Sequence, residues 1–331
     1  MMSRFSALFG PPDTLKTLPT RCPVPFDYLP ITNHGPEDVA IDADGQLIVG
    51  TENGNIVRIN PQTRQQQVLA NTGGRPLGIE CLANGDLIVC DARLGILQVN
   101  PEQAQVKILA DRFEGRHLRL CNNASVTQDG TIYFSQSTIR RPLEDFRQDL
   151  VDHLPTGRFF RLRPNQSTPE LLKDHLAFAN GVTLSPDESF VLVAESGRHQ
   201  INRYWLKGPK QGQWEHFAHL EGVPDNLCTD ESGLFWVAIA SPQDWRLGLI
   251  KHLPTLVRIG LGHLQRRMDF PVIRQMHIQA FDQHGNVVHR LQWCDDDFHM
   301  PTGLRRKGNL LYISSLAESA LMMLDLRSLD G

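Results

Sequence analysis

Asp44-Gly45-Gln46-Leu47-Ile48-Val49 is a turn dipeptide followed by an apolar, β-prone run, and the same phrase returns 40 residues later as Asn84-Gly85-Asp86-Leu87-Ile88-Val89. After a further 45 residues it comes back as Asp129-Gly130 before Ile132-Tyr133-Phe134. Three more copies follow: Pro186-Asp187 before Phe190-Val191-Leu192-Val193, Ser232-Gly233 before Phe235-Trp236-Val237, and Lys307-Gly308 before Leu310-Leu311-Tyr312-Ile313. Gly, Asp and Asn make tight turns between strands, and a repeat of about 40–45 residues has the length of a four-stranded propeller blade. Further strand-like runs, such as Ile56-Val57-Arg58-Ile59 and Ile96-Leu97-Gln98-Val99, fill the intervals. With almost no helical periodicity, the six copies predict an all-β fold, a six-bladed β-propeller forming one domain over 1–331. A pair of β-sandwiches is the alternative.

The chain of 331 residues is 40% hydrophobic and 21% charged, the composition of a globular protein, and its formal net charge of −4 argues against a nucleic-acid partner. Residues 1–30 read as an N-terminal extension whose apolar patch is interrupted by Pro11 and Pro12 before it reaches secretory or spanning length, so a cytoplasmic location is expected. Six cysteines form no Cys-x-x-Cys pair and read as free buried thiols, although a hairpin between Cys81 and Cys90 would let those two meet.

Two segments break the rhythm. Residues 138–155 are polar and charged and read as a long loop on one face. Residues 245–270 interleave Leu247, Leu249, Leu253, Leu256, Val257 and Leu261 with basic residues, which predicts a short helical insertion between the fifth and sixth blades, one or two amphipathic helices broken by Pro254. An apolar lid, simple packing on blade edges and a membrane-surface contact are its three readings.

A propeller brings the starts of its innermost strands together at one end of a central channel. The segments there are Gly35-Pro36-Glu37-Asp38, Arg119-Leu120-Cys121-Asn122-Asn123, Phe178-Ala179-Asn180-Gly181 and Pro224-Asp225-Asn226-Leu227. Each carries a carboxylate or primary amide beside a turn residue. Glu37, Asn122, Asn180 and Asp225 supply two charges and two neutral oxygens, a donor set suited to Ca²⁺ and tolerant of Mg²⁺, Mn²⁺ or Zn²⁺, with positions left for water and substrate. Taken one at a time, each of these residues is as readily a turn or a cap.

These stretches, with Arg75-Pro76-Leu77-Gly78-Ile79 and Tyr204-Trp205-Leu206-Lys207-Gly208-Pro209-Lys210, resemble the strictosidine-synthase-like branch of the senescence marker protein/gluconolactonase superfamily, in particular its adipocyte plasma membrane-associated type, over about residues 35–320. The resemblance implies a six-bladed propeller with a divalent cation at its centre and hydrolysis of lactones or aryl esters. It places the cation ligands on Glu37, Asn122, Asn180 and Asp225. It also marks Asp225-Asn226 as the counterpart of the adjacent calcium-binding pair of the more distant paraoxonases. Three departures stand out: Asn123 replaces a carboxylate near the substrate, Leu77 replaces a second-blade histidine, and Pro301-Thr302 offers no condensing glutamate, which argues against alkaloid condensation.

The expected function is divalent-metal-dependent hydrolysis of lactones or aryl esters, with apolar or amphipathic substrates suggested by the leucines of 245–270. Asp225 is the first choice of base and His299, in Phe298-His299-Met300, the second. His117, Arg119, Asn123 and Asn226 are the candidate substrate contacts, against ordinary structural roles. A calcium-dependent phosphotriesterase and a binding propeller with a structural cation are the rival readings.

Overall fold

The computed structural model describes residues 18–19, 21–242, 252–265 and 273–329. Six four-stranded antiparallel sheets follow one another along the chain as blades over 39–71, 76–110, 121–176, 179–219 and 222–294, with the sixth built from 301–325 and one early strand. That early strand, Phe26–Pro30, comes from the stretch read as an N-terminal extension and pairs antiparallel with Ala320–Asp325, setting Leu29 opposite Leu321. The first and last parts of the chain are thereby joined in one blade, and the ring is closed by backbone hydrogen bonds.

The turn phrase marks the hairpin between the first and second strands of each blade. Gly45 there has φ +77°, a left-handed conformation that costs glycine nothing, whereas the fourth copy lacks the glycine and Glu188 holds φ +53° in its place. The second strands read as unbroken apolar runs because both faces are covered: Leu47–Gly50, Leu87–Asp91 and Phe190–Glu195 are buried throughout. Six apolar clusters lie one between each neighbouring pair of blades, for example Trp236, Trp293, Met322 and Leu324 between the fifth and sixth, and Leu29, Val39, Val57 and Leu321 between the sixth and first.

Both interruptions of the rhythm are insertions within blades. Residues 138–155, read as a loop, contain helix α1 (Phe146–Asp152) after a single turn of 3-10 helix, Leu143–Asp145. Helix α2 (Thr255–Gln265) follows Pro254, which starts it rather than breaking it, since the Pro254 carbonyl accepts from the Val257 and Arg258 amides. Its flanking strands, Phe235–Pro242 and Gln275–Phe281, are neighbours in one sheet, so this insertion lies inside the fifth blade and not between the fifth and sixth. Residues 245–251 and 266–270 lie outside the described residues. Cys22, Cys81, Cys90, Cys121 and Cys228 are free thiols, and burial pushes the Cys81 thiol up to about 12. Among the described residues no helix is long and apolar enough to cross a membrane.

Leu29 has no exposed surface and belongs to the closing strand. Leu29→Ala should lower unfolding free energy by about 2–5 kcal/mol in urea titration, the usual cost of a buried leucine cavity. An unchanged midpoint would show that ring closure contributes nothing to stability.

Candidate functional site

The inner strands do not begin as regular strands. In blades two to six a β-bulge interrupts pairing just after the strand starts, so two residues per blade turn toward the axis. With the first blade, the upper positions of this ring are Glu37, Leu77, Asn122, Asn180, Asp225 and Thr302. The lower positions are Asp38, Gly78, Asn123, Gly181, Asn226 and Gly303.

The lower ring alternates a polar side chain with glycine. A Cβ on Gly78 would stand 2.7 Å from the Asn123 Cα, one on Gly181 2.5 Å from the Asn226 Cα, and one on Gly303 2.6 Å from the Asp38 Cα. Each glycine therefore makes room for the polar residue of the next blade. The three polar side chains cross the axis: Asn123 Nδ2 donates to Asp38 Oδ2 at 3.0 Å, and Asn123 Oδ1 accepts from the Val182 amide at 2.9 Å. Asn226 Nδ2 donates to Glu37 Oε1 at 3.0 Å.

The upper ring carries the candidate ligands, and it does bring Glu37, Asn122, Asn180 and Asp225 to one place. Asn122 Nδ2 donates to Ser137 Oγ at 3.0 Å and Asn180 Nδ2 to Ser196 Oγ at 3.1 Å. Ser196 Oγ itself donates to the Pro224 carbonyl at 2.6 Å, and a carbonyl can only accept. The hydroxyl's single proton is thus spent on Pro224, Ser196 must accept from Asn180, and the Asn180 oxygen is turned into the site. Four buried oxygens there have no hydrogen-bond partner: Glu37 Oε2, Asn122 Oδ1, Asn180 Oδ1 and Asn226 Oδ1.

Unpartnered buried oxygens beside like charges are costly. Burial, then the charges of Asp225 and Asp38, push Glu37 well above the usual carboxylate range, while Arg75 opposes the rise. Burial raises Asp225 to about 8, partly offset by the Asn180 amide. Asp38 is also raised by burial, against the pull of Arg305. A divalent cation would answer both problems, taking up the free oxygens and offsetting the charge. Among the described residues no three His, Cys, Asp or Glu side chains gather into a metal cluster. The donors are instead mostly amide oxygens with few carboxylates, which fits a hard, oxygen-seeking ion.

The other expected site residues scatter. Asn123, expected to touch substrate, is buried with both amide atoms engaged and has none to offer. Asn226 is also buried, and it holds Glu37 and adds an oxygen to the ring instead of facing a substrate. His117 lies on an exposed hairpin with its ring 2.7 Å from the Arg112 guanidinium, and Arg119 is exposed with its carbonyl bonded to the Gln136 side chain. No hydrogen bond among the described residues joins either to the ring. His299 stands three residues before Thr302, with Nδ1 paired to the Glu318 carboxylate. Sequence reasoning missed Asp38, Ser137, Ser196 and Thr302, whose hydroxyl donates to the Glu37 carbonyl at 2.6 Å. The glycine alternation was a signal for Asp38, visible once the six repeats are set in register.

The ring residues start the inner strands, so in an antiparallel blade every connection between second and third strands lies on the same face as the site. The insertions carrying α1 and α2 are two such connections, and the helices pack on each other, with Arg258 reaching the His153 carbonyl at 3.4 Å.

Comparison with known proteins follows the same lines. The family model for the SMP-30/Gluconolactonase/LRE-like region matches residues 49–251, and that for the strictosidine synthase-like N-terminal region matches 28–59. The chain is similar to Protein STRICTOSIDINE SYNTHASE-LIKE 6 of Arabidopsis thaliana, 30% identical over 302 residues that cover 88% of this chain and 79% of that protein. It is also similar to the adipocyte plasma membrane-associated protein of Danio rerio, 32% identical over 325 residues covering 88% and 75%. Among solved structures, a gluconolactonase from Xanthomonas campestris shares the fold, with a TM-score of 0.66 at 19% identity over 92% of this chain and 91% of that one.

Proton and cation should compete for this ring. A carboxylate raised on folding costs stability as pH rises from its unfolded value of about 4. The cation-free protein should therefore lose stability between about pH 4 and Asp225's value of about 8. Added Ca²⁺ should restore that stability, binding more tightly at pH 9 than at pH 6 and with release of protons in calorimetry. Equal affinity at both pH values would count against the site. Ser196→Ala should weaken Ca²⁺ binding about tenfold, in the range seen for outer partners of metal ligands, while Ser196→Thr, which keeps the hydroxyl, retains it.

Proposed function

The chain belongs to the SMP-30/gluconolactonase family, in its strictosidine-synthase-like branch, and on that basis we propose that it hydrolyses lactones or esters using a divalent cation, with Ca²⁺ as the best fit. The observation that carries this reading is the set of buried, unpartnered oxygens on Glu37, Asn122, Asn180 and Asn226, gathered beside the partly exposed Asp225. Such a cation, when bound, polarises a substrate carbonyl and offsets the charge that builds on its oxygen.

The chain's own residues supply the rest. Ser137 and Ser196 aim the two amide oxygens, and Asn226 fixes Glu37, so the donors are set before substrate arrives. Asp225 is the ligand-ring carboxylate that keeps access to solvent, and through an oxygen facing water it accepts the proton of the attacking water. His299 is the second candidate: Glu318 holds its Nδ1, which leaves Nε2 as the proton-accepting atom of the imidazole. Below the ring, Asp38, Asn123 and Asn226 cross the channel, so substrate approaches from the face that bears the two helices.

Hydrolysis of a lactone or phenyl acetate should stop on chelation and return with Ca²⁺. Asp225→Ala should lower kcat/KM by about a hundredfold or more, the scale of losing one group that stabilises the transition state, while leaving the β signal in circular dichroism. Full turnover in Asp225→Ala would remove it from the mechanism. A chelator-sensitive fold without turnover of any ester would favour a binding propeller.

A further inference from the structure

Glu37 is held differently from the other members of the upper ring. In blades two to six a residue pair stands at the top of the inner strand, above the bulge: Pro76 opposite Asp91, Cys121 opposite Gln136, Ala179 opposite Glu195, Gly222 opposite Pro242 and Pro301 opposite Ser315. The ring residues of those blades are therefore fixed by their own sheet. In blade one the inner strand covers Val39–Ile41, and Gly35, Pro36 and Glu37 precede it. The blade's own backbone next reaches this segment at His34, whose carbonyl accepts from the Glu52 amide at 3.0 Å.

The neighbouring blades supply the missing hold. From blade two, the buried Arg75 donates through Nη2 to the Gly35 carbonyl at 2.8 Å and through Nη1 to the Pro76 carbonyl at 2.9 Å. The Arg75 backbone is itself anchored, its amide on Asp91 Oδ1 at 3.0 Å and its carbonyl accepting from the Ala92 amide at 2.9 Å. Gly35 has φ +70°, and a Cβ there would stand 3.2 Å from Arg75 Nη2, so the glycine lets the guanidinium come this close. From blade six, the Glu37 carbonyl accepts from Thr302 Oγ1 at 2.6 Å and from Ser314 Oγ at 2.8 Å, and the Gly35 amide donates to the Glu318 carbonyl at 2.8 Å. These bonds to blade one all end on backbone. A guanidinium fastened on the Glu37 carboxylate would take the oxygens a cation needs, whereas here Oε2 stays free.

We propose that Arg75 and Thr302 are positioning residues for Glu37: they hold the start of blade one by its carbonyls, aim the carboxylate at the ring and leave it unoccupied for a cation. The proposal rests on the reading of the ring as a cation site, and it names what sets the ligand that stands outside its blade's strand. Arginine suits the task because the two carbonyls belong to different blades. A planar fork spans both, and the single ammonium of a lysine does not.

The test is the Ca²⁺ affinity of the full chain, measured by calorimetry at pH 9, with a urea titration of the cation-free protein beside it. Arg75→Lys, which keeps the charge and loses the fork, should bind Ca²⁺ about tenfold more weakly than wild type, the scale of losing an outer partner of a metal ligand. Thr302→Val, which removes a hydroxyl and no charge, should also bind about tenfold more weakly, and Thr302→Ser should bind as wild type does. Should Arg75→Lys not fold, the Thr302 pair carries the test. Wild-type affinity in Arg75→Lys would make Arg75 a charge beside the site and overturn its positioning role. A lower urea midpoint with unchanged affinity in Arg75→Lys and Thr302→Val would make both residues structural and overturn the proposal, with the cation site left standing. A wild-type protein that binds no Ca²⁺ overturns the site and this proposal together.

Discussion

Three polar side chains, Asp38, Asn123 and Asn226, meet across the channel because Gly78, Gly181 and Gly303 alternate with them. The alternation is a steric necessity. Six side chains cannot converge on one axis at that depth, and a Cβ at any of the three glycines would sit within 2.7 Å of its neighbour's Cα. The surviving three tie blades one, two, three, four and five together, since Asp38 also accepts from the Ile79 amide and Asn123 from the Val182 amide. Asn226 fixes Glu37, so the ligand ring above inherits its geometry from the ring below.

That geometry has an electrostatic cost, and the protein meets it in two ways. Under the site, Arg305 of the sixth blade pairs with Glu80 of the second, and its charge lies near enough to Asp38 to oppose the rise that burial imposes. Above, burial pushes Glu37 and Asp225 upward together, against the pull of Arg75 on Glu37 and the Asn180 amide on Asp225, with free oxygens around them. Other buried polar atoms without partners, such as Gln136 Oε1 and both amide atoms of Gln275, are scattered through the fold, whereas here four oxygens are left open together. Open groups of that kind mark a site that a ligand completes.

The fold was legible because its signals are local. Each turn phrase, from Asp44-Gly45 to Lys307-Gly308, specifies a hairpin by backbone chemistry, and six of them at blade spacing specify the ring. The four candidate ligands were legible for the same reason, as residues at one position in successive repeats. What stayed hidden was whatever depended on a partner distant in sequence. Ser137 and Ser196 are ordinary serines until the bulge brings Asn122 and Asn180 beside them. Asn123 looked like a substrate contact because a turn amide carries no sign that both its atoms will be used across the axis. The charged stretch 138–155 concealed Leu143, Phe146 and Leu150, whose i, i+3, i+7 spacing is that of one helical face but which are only three among many charged residues until they land on Leu77.

By itself, then, the sequence determined the class, the number of blades and the oxygen chemistry at the start of the inner strands, because turn residues and apolar runs act within a few residues of themselves. It also determined that three glycines would stand where six blades converge. The tertiary structure alone decided which amide atoms face the ring and which acids keep their protons, because each of these depends on distances between residues far apart in sequence. Ser196 shows the division most clearly: its one proton goes to Pro224, a residue 28 positions away, and that choice turns the oxygen of Asn180 toward the site.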